Sequence, residues 1–445
     1  MIMLPSEFLA RMEALLGKEY GAFLAALDRP LQKGLRLGPK GQDLDLTAGF
    51  GLTPVPWAEN GYTYDPDTRP GKHPYHEAGA YYLQEPSAMA PAAMLGAKPG
   101  ERVLDLCAAP GGKSTQLAAS MEGRGLLVCN EVSPKRARIL SRNIERMGIS
   151  NALVLNMHPR DLARRFSGFF DRVLVDAPCS GEGMFRKEEA AVTDWSPETV
   201  DMCAGRQLEI LRSAASMLRL GGTLCYSTCT FAPEEDEGVM ARFLAECPDF
   251  SPVEADVPWF DHAKPEWAEP FDSRVSAGFR LWPHKLSGEG HFLMLLGREG
   301  DTEPADLPAV KGGPVPAALS EFLRDLDIAL PAGELISFGQ ALYLVPTGTP
   351  VLDGLKVLRP GLELGELKKG RFEPAHALAL WLRTCARTAD FPADSREIAD
   401  YLRGQVLPGD GIGWTLITVD GLSLGWAKAS AGQLKNHYPK GLRWT

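Results

Sequence analysis

The stretch RVLDLCAAPGGKSTQLAAS, residues 102–120, decides the fold class of this chain. It opens with a short run of branched apolar residues, which predicts a buried β-strand. Gly111 and Gly112 follow, and paired glycines let a loop backbone approach a ligand closely. From about Ser114 the pattern is that of a helix, whose first N–H groups are free to bind. We therefore predict a strand, a glycine loop and a helix at the ligand-binding edge of a sheet.

The same alternation continues over residues 91–300. Strand-like runs are separated by helical stretches at 114–121, 134–147 and 197–219, and the runs are RVLDL, GLLVCN, NALVLN, DRVLVDA, GGTLCYST and HFLMLL. Alternation of this kind predicts right-handed βαβ units and an α/β fold with a parallel, doubly wound, Rossmann-like sheet. Ligands of such sheets bind at the carboxyl ends of the strands.

The flanking regions predict smaller domains. Residues 1–90 form an N-terminal domain, with an amphipathic helix from Ser6 and a loop-forming stretch rich in proline, glycine and tyrosine at 54–79. Residues 301–317 have the composition of a linker. We predict a small α+β domain at 318–378 and a second one at 379–445.

Composition excludes several classes of protein. A chain of 445 residues is too long for a single hydrophobic core. Its contents of 44% hydrophobic and 23% charged residues are typical of soluble globular proteins. No apolar run is long enough to span a bilayer, and the N-terminus does not resemble a secretion signal, so we expect a cytoplasmic protein without membrane association. The 8 cysteines include no C-x-x-C pair, which argues against disulfides and a metal site.

The charge distribution points to a local anion-binding surface. A net charge of −10 argues against indiscriminate coating of polyanions. Residues 421–445 nevertheless contain no acidic residue and carry basic residues interleaved with aromatic ones: Lys428, Lys435, Lys440 and Arg443. This pattern favours nucleic-acid binding, and a solvated basic tail is the alternative.

The glycine loop predicts the class of cofactor. Gly112-Lys113-Ser114 does not complete a phosphate-binding P-loop, because Cys107 stands where that motif requires glycine. The dinucleotide fingerprint G-x-G-x-x-G is also absent from this stretch. Glu131 ends the next predicted strand, where an acidic side chain accepts hydrogen bonds from ribose hydroxyls. A nucleoside cofactor without pyrophosphate, such as S-adenosylmethionine, fits both features.

Two cysteines follow neighbouring predicted strands, in DAPCSG (176–181) and YSTCTFAPEEDE (226–237). Cys179, Cys229 and Asp176 should therefore face one crevice beside the methyl donor. Two thiols and a carboxylate suit methylation of a pyrimidine at C5, because a thiolate that adds to C6 makes C5 nucleophilic. Asp176 would assist near N3 and N4, and to donate a hydrogen bond to N3 it would need a raised pKa.

These motifs carry a family resemblance. The matching segments are YYLQEPSAM, DLCAAPGGKS, NEVSPKRARILSRNIERMG, VDAPCSGEGMFRK, YSTCTFAPEEDE, RLWPHKLSGEGHF and LGWAKASAGQLKNHYPKGLR. In them the chain resembles the Sun/nucleolar-protein family of RNA 5-methylcytosine methyltransferases, and most closely its bacterial, multi-domain, RsmF-like type. The resemblance implies that residues 1–90 form an RNA-facing domain and that the last domain is a PUA-like RNA-binding module.

The resemblance also implies roles for individual residues. Cys229 is the nucleophile, Cys179 assists product release, and Lys187 contacts the target nucleotide. The residues that line the S-adenosylmethionine site are Cys107, Ala108, Ala109, Pro110, Gly111, Gly112, Lys113, Glu131 and Asp176. His158 stands where relatives carry an aspartate near the adenine. Near the N-terminus, GLRLG stands where relatives commonly carry R-x-N. Arg36 matches the arginine of that motif, and the asparagine is absent.

The implied reaction is methyl transfer from S-adenosylmethionine to C5 of cytidine in 16S ribosomal RNA, through a covalent cysteine–C6 intermediate. The implied partner is ribosomal RNA, free or within the small ribosomal subunit, and we expect a monomer. Two alternatives stay open: methylation of transfer RNA or another RNA, and a non-catalytic ribosome-assembly factor that keeps the cofactor pocket.

Overall fold

A computed structural model describes residues 4–286 and 288–445. The N-terminal part consists of two helices, a small sheet and two helical turns: α1 (Ser6–Leu16), α2 (Tyr20–Leu27), β1 (Gly34–Leu37), α3 (Thr47–Phe50), β2 (Thr53–Pro54), β3 (Gly61–Thr63), α4 (Pro74–Glu77) and β4 (Tyr81–Leu83). The sheet has the antiparallel order β2-β3-β1-β4. The stretch 54–79, predicted to be loop, thus contributes β3 and α4.

The central part contains the predicted strands and helices. Its elements are α5 (Ala90–Leu95), β5 (Arg102–Asp105), α6 (Gly112–Ser120), β6 (Leu126–Asn130), α7 (Pro134–Arg146), β7 (Ala152–Leu155), α8 (Pro159–Ala163), β8 (Phe170–Asp176), α9 (Glu189–Thr193), α10 (Pro197–Met217), β9 (Leu218–Thr228), α11 (Glu237–Glu246), β10 (Phe250–Pro252), β11 (Asp261–His262), β12 (Phe279–Leu281) and β13 (His291–Arg298).

The central sheet is doubly wound, as predicted. The strands β7-β6-β5-β8-β9 run parallel in that order. The sheet is not parallel throughout, because β13 pairs antiparallel with β9 and β12 and β11 extend the same edge. Alternate residues of each strand face opposite sides. Val103 accordingly packs in one apolar cluster and Leu104 in another, so helices cover both faces.

The C-terminal part adds two sheets and one strand of the central sheet. Its elements are α12 (Ala317–Asp325), β14 (Glu334–Phe338), β15 (Ala341–Val345), β16 (Val357–Arg359), β17 (Leu362–Lys368), β18 (Arg371–Pro374), α13 (His376–Trp381), β19 (Thr388–Phe391), α14 (Arg396–Leu402), β20 (Leu407–Pro408), β21 (Gly413–Val419), β22 (Leu422–Ser430) and β23 (Gln433–Asn436). The sheets are β14-β15-β17-β18 and β19-β21-β22-β23-β20. The predicted boundary at 378/379 falls inside α13.

The parts pack against one another through shared apolar cores. Phe8 of α1 contacts Phe185 and Trp195 of the central part, whereas residues of β1 and β4 share a core with α14, β21 and β22. β16 pairs antiparallel with β7 at the edge of the central sheet. The predicted linker follows the central part closely, since the Ala305 N–H donates to the Gly168 carbonyl. Within residues 4–286 and 288–445, no helix combines the length and apolar character needed to cross a membrane.

Candidate active site

The glycine loop lies at the carboxyl end of β5. Gly111 adopts φ 116°, a conformation that favours glycine, and immediately precedes α6. Asp105 ends β5 and accepts a hydrogen bond from Ser114 Oγ at 2.6 Å, and burial raises its pKa to about 7. Strand end, loop and helix start are therefore tied to one another, as the sequence predicted for a ligand-binding turn.

Arg36 fixes this loop from outside the central sheet. Its side chain is buried, and its guanidinium donates to the Gly112 carbonyl at 3.3 Å and to Thr115 Oγ1 at 2.7 Å. It also donates to Gln84 Oε1 at 3.3 Å. Arg36 thus connects β1 to the first turn of α6, a role that the sequence did not reveal.

Glu131 follows β6 directly and lies at one end of the cleft. Its side chain is 3% exposed, accepts from the Ser133 N–H at 2.8 Å and pairs with Arg136 at 3.4 Å. His158 also lines the cleft, is exposed, and accepts a hydrogen bond from the Arg160 N–H through Nδ1 at 3.3 Å. A buried carboxylate and an imidazole therefore flank the same space.

A cleft of about 1540 Å³ joins this end to the two cysteines. Of the residues predicted to hold the cofactor, those that line it are Cys107, Ala109, Pro110, Lys113, Glu131, His158 and Asp176. Ala108 and Gly112 line a smaller adjoining cavity, and Gly111 lines neither. The described residues contain no group of three or more potential metal ligands.

Cys179 and Cys229 meet in this cleft, with their Sγ atoms 3.4 Å apart. Asp176 ends β8 and Cys229 follows β9, so adjacent parallel strands deliver them to one edge. Lys113 Nζ donates to Asp176 Oδ2 at 2.8 Å, and Ser227 Oγ donates to Asp176 Oδ1 at 2.8 Å. Strand order alone therefore accounts for the convergence of the predicted side chains.

The electrostatics distinguish the two thiols. The hydrogen bond with Cys229 and burial raise the pKa of the Cys179 thiol well above its ordinary value. Burial opposes the charge of Lys113, yet the Asp176 carboxylate and, more weakly, the Cys229 thiolate hold the pKa of Lys113 above its ordinary value. Cys179 is thus kept as a thiol, while a positive charge stands near Cys229.

The pKa of Asp176 is shifted in the direction opposite to the prediction. Burial acts to raise its pKa, but Lys113 and His291 outweigh burial and hold the pKa well below its usual range. Lys113 donates at 2.8 Å and His291 Nε2 lies 3.5 Å away. The prediction of a raised pKa for Asp176 is therefore wrong, because the sequence did not place Lys113 and His291 beside it.

Three residues of the acidic run after Cys229 are buried, namely Glu235, Asp236 and Glu237, whereas Glu234 is exposed. Glu235 accepts from the Ser180 N–H at 3.0 Å and from Gln207 Nε2 at 2.7 Å, so it holds the backbone next to Cys179. Asp236 accepts from Thr228 Oγ1 at 2.6 Å, and Glu237 pairs with the buried Arg280. The buried part of the run therefore braces both cysteine loops.

Lys187 stands at the rim of the cleft with an exposed side chain. The turn before it is fixed by Glu182, whose carboxylate accepts from the Trp195 indole at 2.8 Å and the Phe231 N–H at 3.0 Å. Arg11 of α1 also pairs with Glu182. The N-terminal helix therefore supports the segment that carries Cys179 and Lys187.

The predicted basic residues of the last domain divide into two groups. Lys428 lies directly opposite Trp414 on one side and Lys435 on the other, across β21, β22 and β23. Its Nζ lies 5.4 Å from the centre of the Trp414 ring. Lys440 is exposed beyond β23, whereas Arg443 is half-buried and donates to the Tyr438 carbonyl at 3.4 Å.

Four family models match successive parts of the chain. The N-terminal domain of 16S rRNA methyltransferase RsmF matches residues 4–86, and 16S rRNA methyltransferase RsmB/F matches 92–297. The RsmF rRNA methyltransferase first C-terminal domain matches 321–382, and the methyltransferase RsmF PUA domain matches 388–444.

Individual proteins give the same result over the full length. The ribosomal RNA small subunit methyltransferase F of Klebsiella pneumoniae (strain 342) is 33% identical, covering 98% of this chain and 96% of that protein. Its counterpart in Erwinia tasmaniensis is 31% identical, covering 99% and 97%. The crystal structure of a methyltransferase homolog protein from Pyrococcus horikoshii is 28% identical, with a TM-score of 0.59 over 67% of this chain and 96% of that one.

Proposed function

This chain belongs to the RsmF family of 16S ribosomal RNA methyltransferases, and we propose that it methylates C5 of a cytidine in 16S ribosomal RNA through a covalent cysteine adduct. The observation that carries this proposal is the pair of thiols 3.4 Å apart, beside Asp176 and Lys113, in a cleft that also holds Glu131. Two thiols at one base suit a reaction in which one sulfur bonds to the ring and the other assists its departure.

The far end of the cleft fits S-adenosylmethionine. Glu131 offers a buried carboxylate for the ribose hydroxyls, and the loop before α6 presents backbone N–H groups. His158 stands beside them at the place proposed for the adenine. When bound, the cofactor supplies an electrophilic methyl group. The other proposed contacts of the cofactor are residues that line the cleft or the smaller cavity beside it, with Gly111 in the backbone turn: Cys107, Ala108, Ala109, Pro110, Gly112, Lys113 and Asp176.

Cys229 is the nucleophile in this proposal. Cys229 is among the groups that act to raise the pKa of Lys113, so a positive charge stands near the proposed nucleophile. The thiolate adds to C6 of the cytosine, the C5=C6 double bond opens, and the electron pair makes C5 the nucleophilic atom that receives the methyl group. Asp176 stays ionised and holds Lys113 in place, rather than donating to N3.

Cys179 acts in release. After methylation the C5 proton passes to water, the C6–S bond breaks with its electron pair returning to sulfur, and the C5=C6 double bond is restored. Cys179 is kept as a thiol within hydrogen-bond distance of the departing sulfur, so it can donate a proton to Cys229 Sγ. Without that donor the adduct should persist.

RNA contacts are proposed at two places. Lys187 at the cleft rim contacts the target nucleotide, which must leave its helix to reach C6. The row Trp414, Lys428 and Lys435 offers an aromatic face next to two positive charges, which suits a stacked base and a phosphate. Lys440 extends this surface, and Arg443 supports it from within the domain.

Product analysis tests the proposed function. The purified enzyme is incubated with S-adenosylmethionine labelled in the methyl group and with small subunits, free 16S RNA or transfer RNA from a strain that lacks the corresponding methylation. Nucleoside mass spectrometry should find labelled 5-methylcytidine in 16S RNA, and bisulfite sequencing should locate it. Label in another nucleoside, or only in transfer RNA, would contradict the proposal.

A further inference from the structure

A second buried carboxylate lies beside the nucleophile. Glu289 stands two residues before β13, lines the cleft and is 2% exposed. The Gly183 N–H donates to the Cys229 carbonyl at 2.9 Å, and a Cβ on Gly183 would meet the carbonyls of both Cys229 and Glu289, at 2.9 and 3.2 Å. The backbones of Cys229 and Glu289 thus enclose the same glycine.

The hydrogen bonds of Glu289 leave one oxygen free. Its N–H donates to Glu85 Oε1 at 2.8 Å, and its Oε2 accepts from Arg186 at 3.1 Å. Its Oε1 is buried and has no hydrogen-bond partner among residues 4–286 and 288–445. Asp176 differs, since both its oxygens already accept from Lys113 and Ser227.

A buried polar atom without a partner is energetically unfavourable, so a binding site usually pairs it when the ligand arrives. Burial raises the pKa of Glu289, although Lys187 and Arg186 act against the shift. Because Arg186 donates to Oε2, the proton of the neutral carboxyl belongs on Oε1. A hydroxyl there needs an acceptor, and N3 of cytosine is one, whereas N3 of uracil carries a hydrogen.

We propose that Glu289 Oε1 donates a hydrogen bond to N3 of the target cytosine and so distinguishes cytosine from uracil. A hydrogen bond at N3 also draws electrons from the ring, which favours addition of the Cys229 thiolate at C6. Glu289 then performs the role that the sequence assigned to Asp176. This inference rests on the proposed function, because it requires a cytosine at Cys229.

Steady-state kinetics on RNA fragments test the inference. The fragment carries the cytidine located by bisulfite sequencing, or uridine at that position, and kcat and KM are measured for both. Glu289→Leu removes the donor, and we expect kcat/KM on cytidine to fall about 10- to 100-fold while the residual uridine rate does not fall, so discrimination is reduced. Glu289→Gln places its NH2 group where Oε1 stood and should stay within about fivefold of wild type, with discrimination kept.

Controls separate the possible failures. Glu209→Leu, at an exposed carboxylate lining the same cleft, should leave both substrates unchanged. If Glu289→Leu does not fold, pH profiles decide: the wild-type rate should fall as the pH rises through the raised pKa of Glu289, which lies among Arg186, Lys187 and Glu85, and that loss should be absent in Glu289→Gln. The inference is overturned if Glu289→Leu discriminates between cytidine and uridine as well as wild type does. It is also overturned if wild type and Glu289→Gln have identical pH profiles. Failure of wild type to form 5-methylcytidine overturns the proposed function itself and this inference with it.

Discussion

At the scale of single residues, two cysteines of the same type are given different chemistry by their neighbours. The hydrogen bond with Cys229 and burial keep the Cys179 thiol protonated, and Lys113 places a positive charge near Cys229. The sequence predicted that both cysteines share a crevice, because parallel strands end at one edge, and the structure confirms it. It could not predict the raised pKa of Cys179, which depends on side-chain distances.

The residues that sequence reasoning missed share one property, namely partners far away along the chain. Arg36 contacts α6, Glu235 contacts Ser180 and Gln207, and Glu289 contacts Arg186. A run such as Glu234–Glu237 looks like a solvated helix start when it is taken alone. The only signal in the sequence was its position directly after the Cys229 loop.

Glu235 carries a prediction about pH and stability. Burial raises its pKa from 4.5 to about 7. Between these values the folded protein binds the proton and the unfolded protein has released it, so this group's contribution to the free energy of unfolding falls as pH rises from about 4.5 to about 7. Glu235→Gln lacks the ionisable group, so this pH dependence should vanish in the variant. Between pH 5 and pH 8 the wild type should therefore lose about 1–3 kcal/mol of unfolding free energy relative to the variant.

Urea unfolding at pH 5 and pH 8 measures this change. The neighbouring Glu234→Gln is the matched control, because that side chain is exposed. A difference between Glu235→Gln and wild type that stays constant across the two pH values would contradict the burial argument.

At the scale of elements, three strands of the last sheet align one aromatic and two basic side chains. Lys428 and Lys435 are direct cross-strand partners, and like charges in that position repel unless an anion lies between them. The sequence predicted the basic, aromatic character of this region. The row itself depends on the pairing register of β21, β22 and β23, which composition does not determine.

Neutralising this row should weaken RNA binding without changing the chemistry. For Lys428→Gln/Lys435→Gln we expect a higher Kd for 16S RNA and a salt dependence of log Kd reduced by about 0.7 per lysine. The kcat at saturating RNA should stay that of wild type. Filter binding at several salt concentrations gives the slope, with Lys98→Gln, an exposed lysine in the loop before β5, as control. An unchanged slope would contradict the proposal that this face binds RNA.

At the scale of the whole molecule, the successive regions are joined by shared cores. The helices α1 and α2 lie against the segments that carry Cys179 and Cys229, and β1 and β4 pack with the last domain. The sequence predicted the order of the regions from changes in composition. It did not predict that β16 would complete the edge of the central sheet, because a three-residue strand has no pattern of its own.

This packing connects the N-terminal part and the last domain to the central part that holds the cleft. Glu182 links α1 to the turn before Lys187, and Arg36 links β1 to the glycine loop. The N-terminal part therefore supports both ends of the cleft. The central claim nevertheless rests on the two thiols, and on their division into nucleophile and proton donor.

Trapping of the adduct is the most direct test of that claim. Wild type, Cys179→Ala, Cys229→Ala and the double variant are incubated with 16S RNA and S-adenosylmethionine, and are analysed by denaturing electrophoresis. Cys179→Ala should accumulate a covalent RNA–protein complex, whereas Cys229→Ala and the double variant should form neither complex nor 5-methylcytidine. Normal turnover by Cys179→Ala, or a complex formed by Cys229→Ala, would contradict the account.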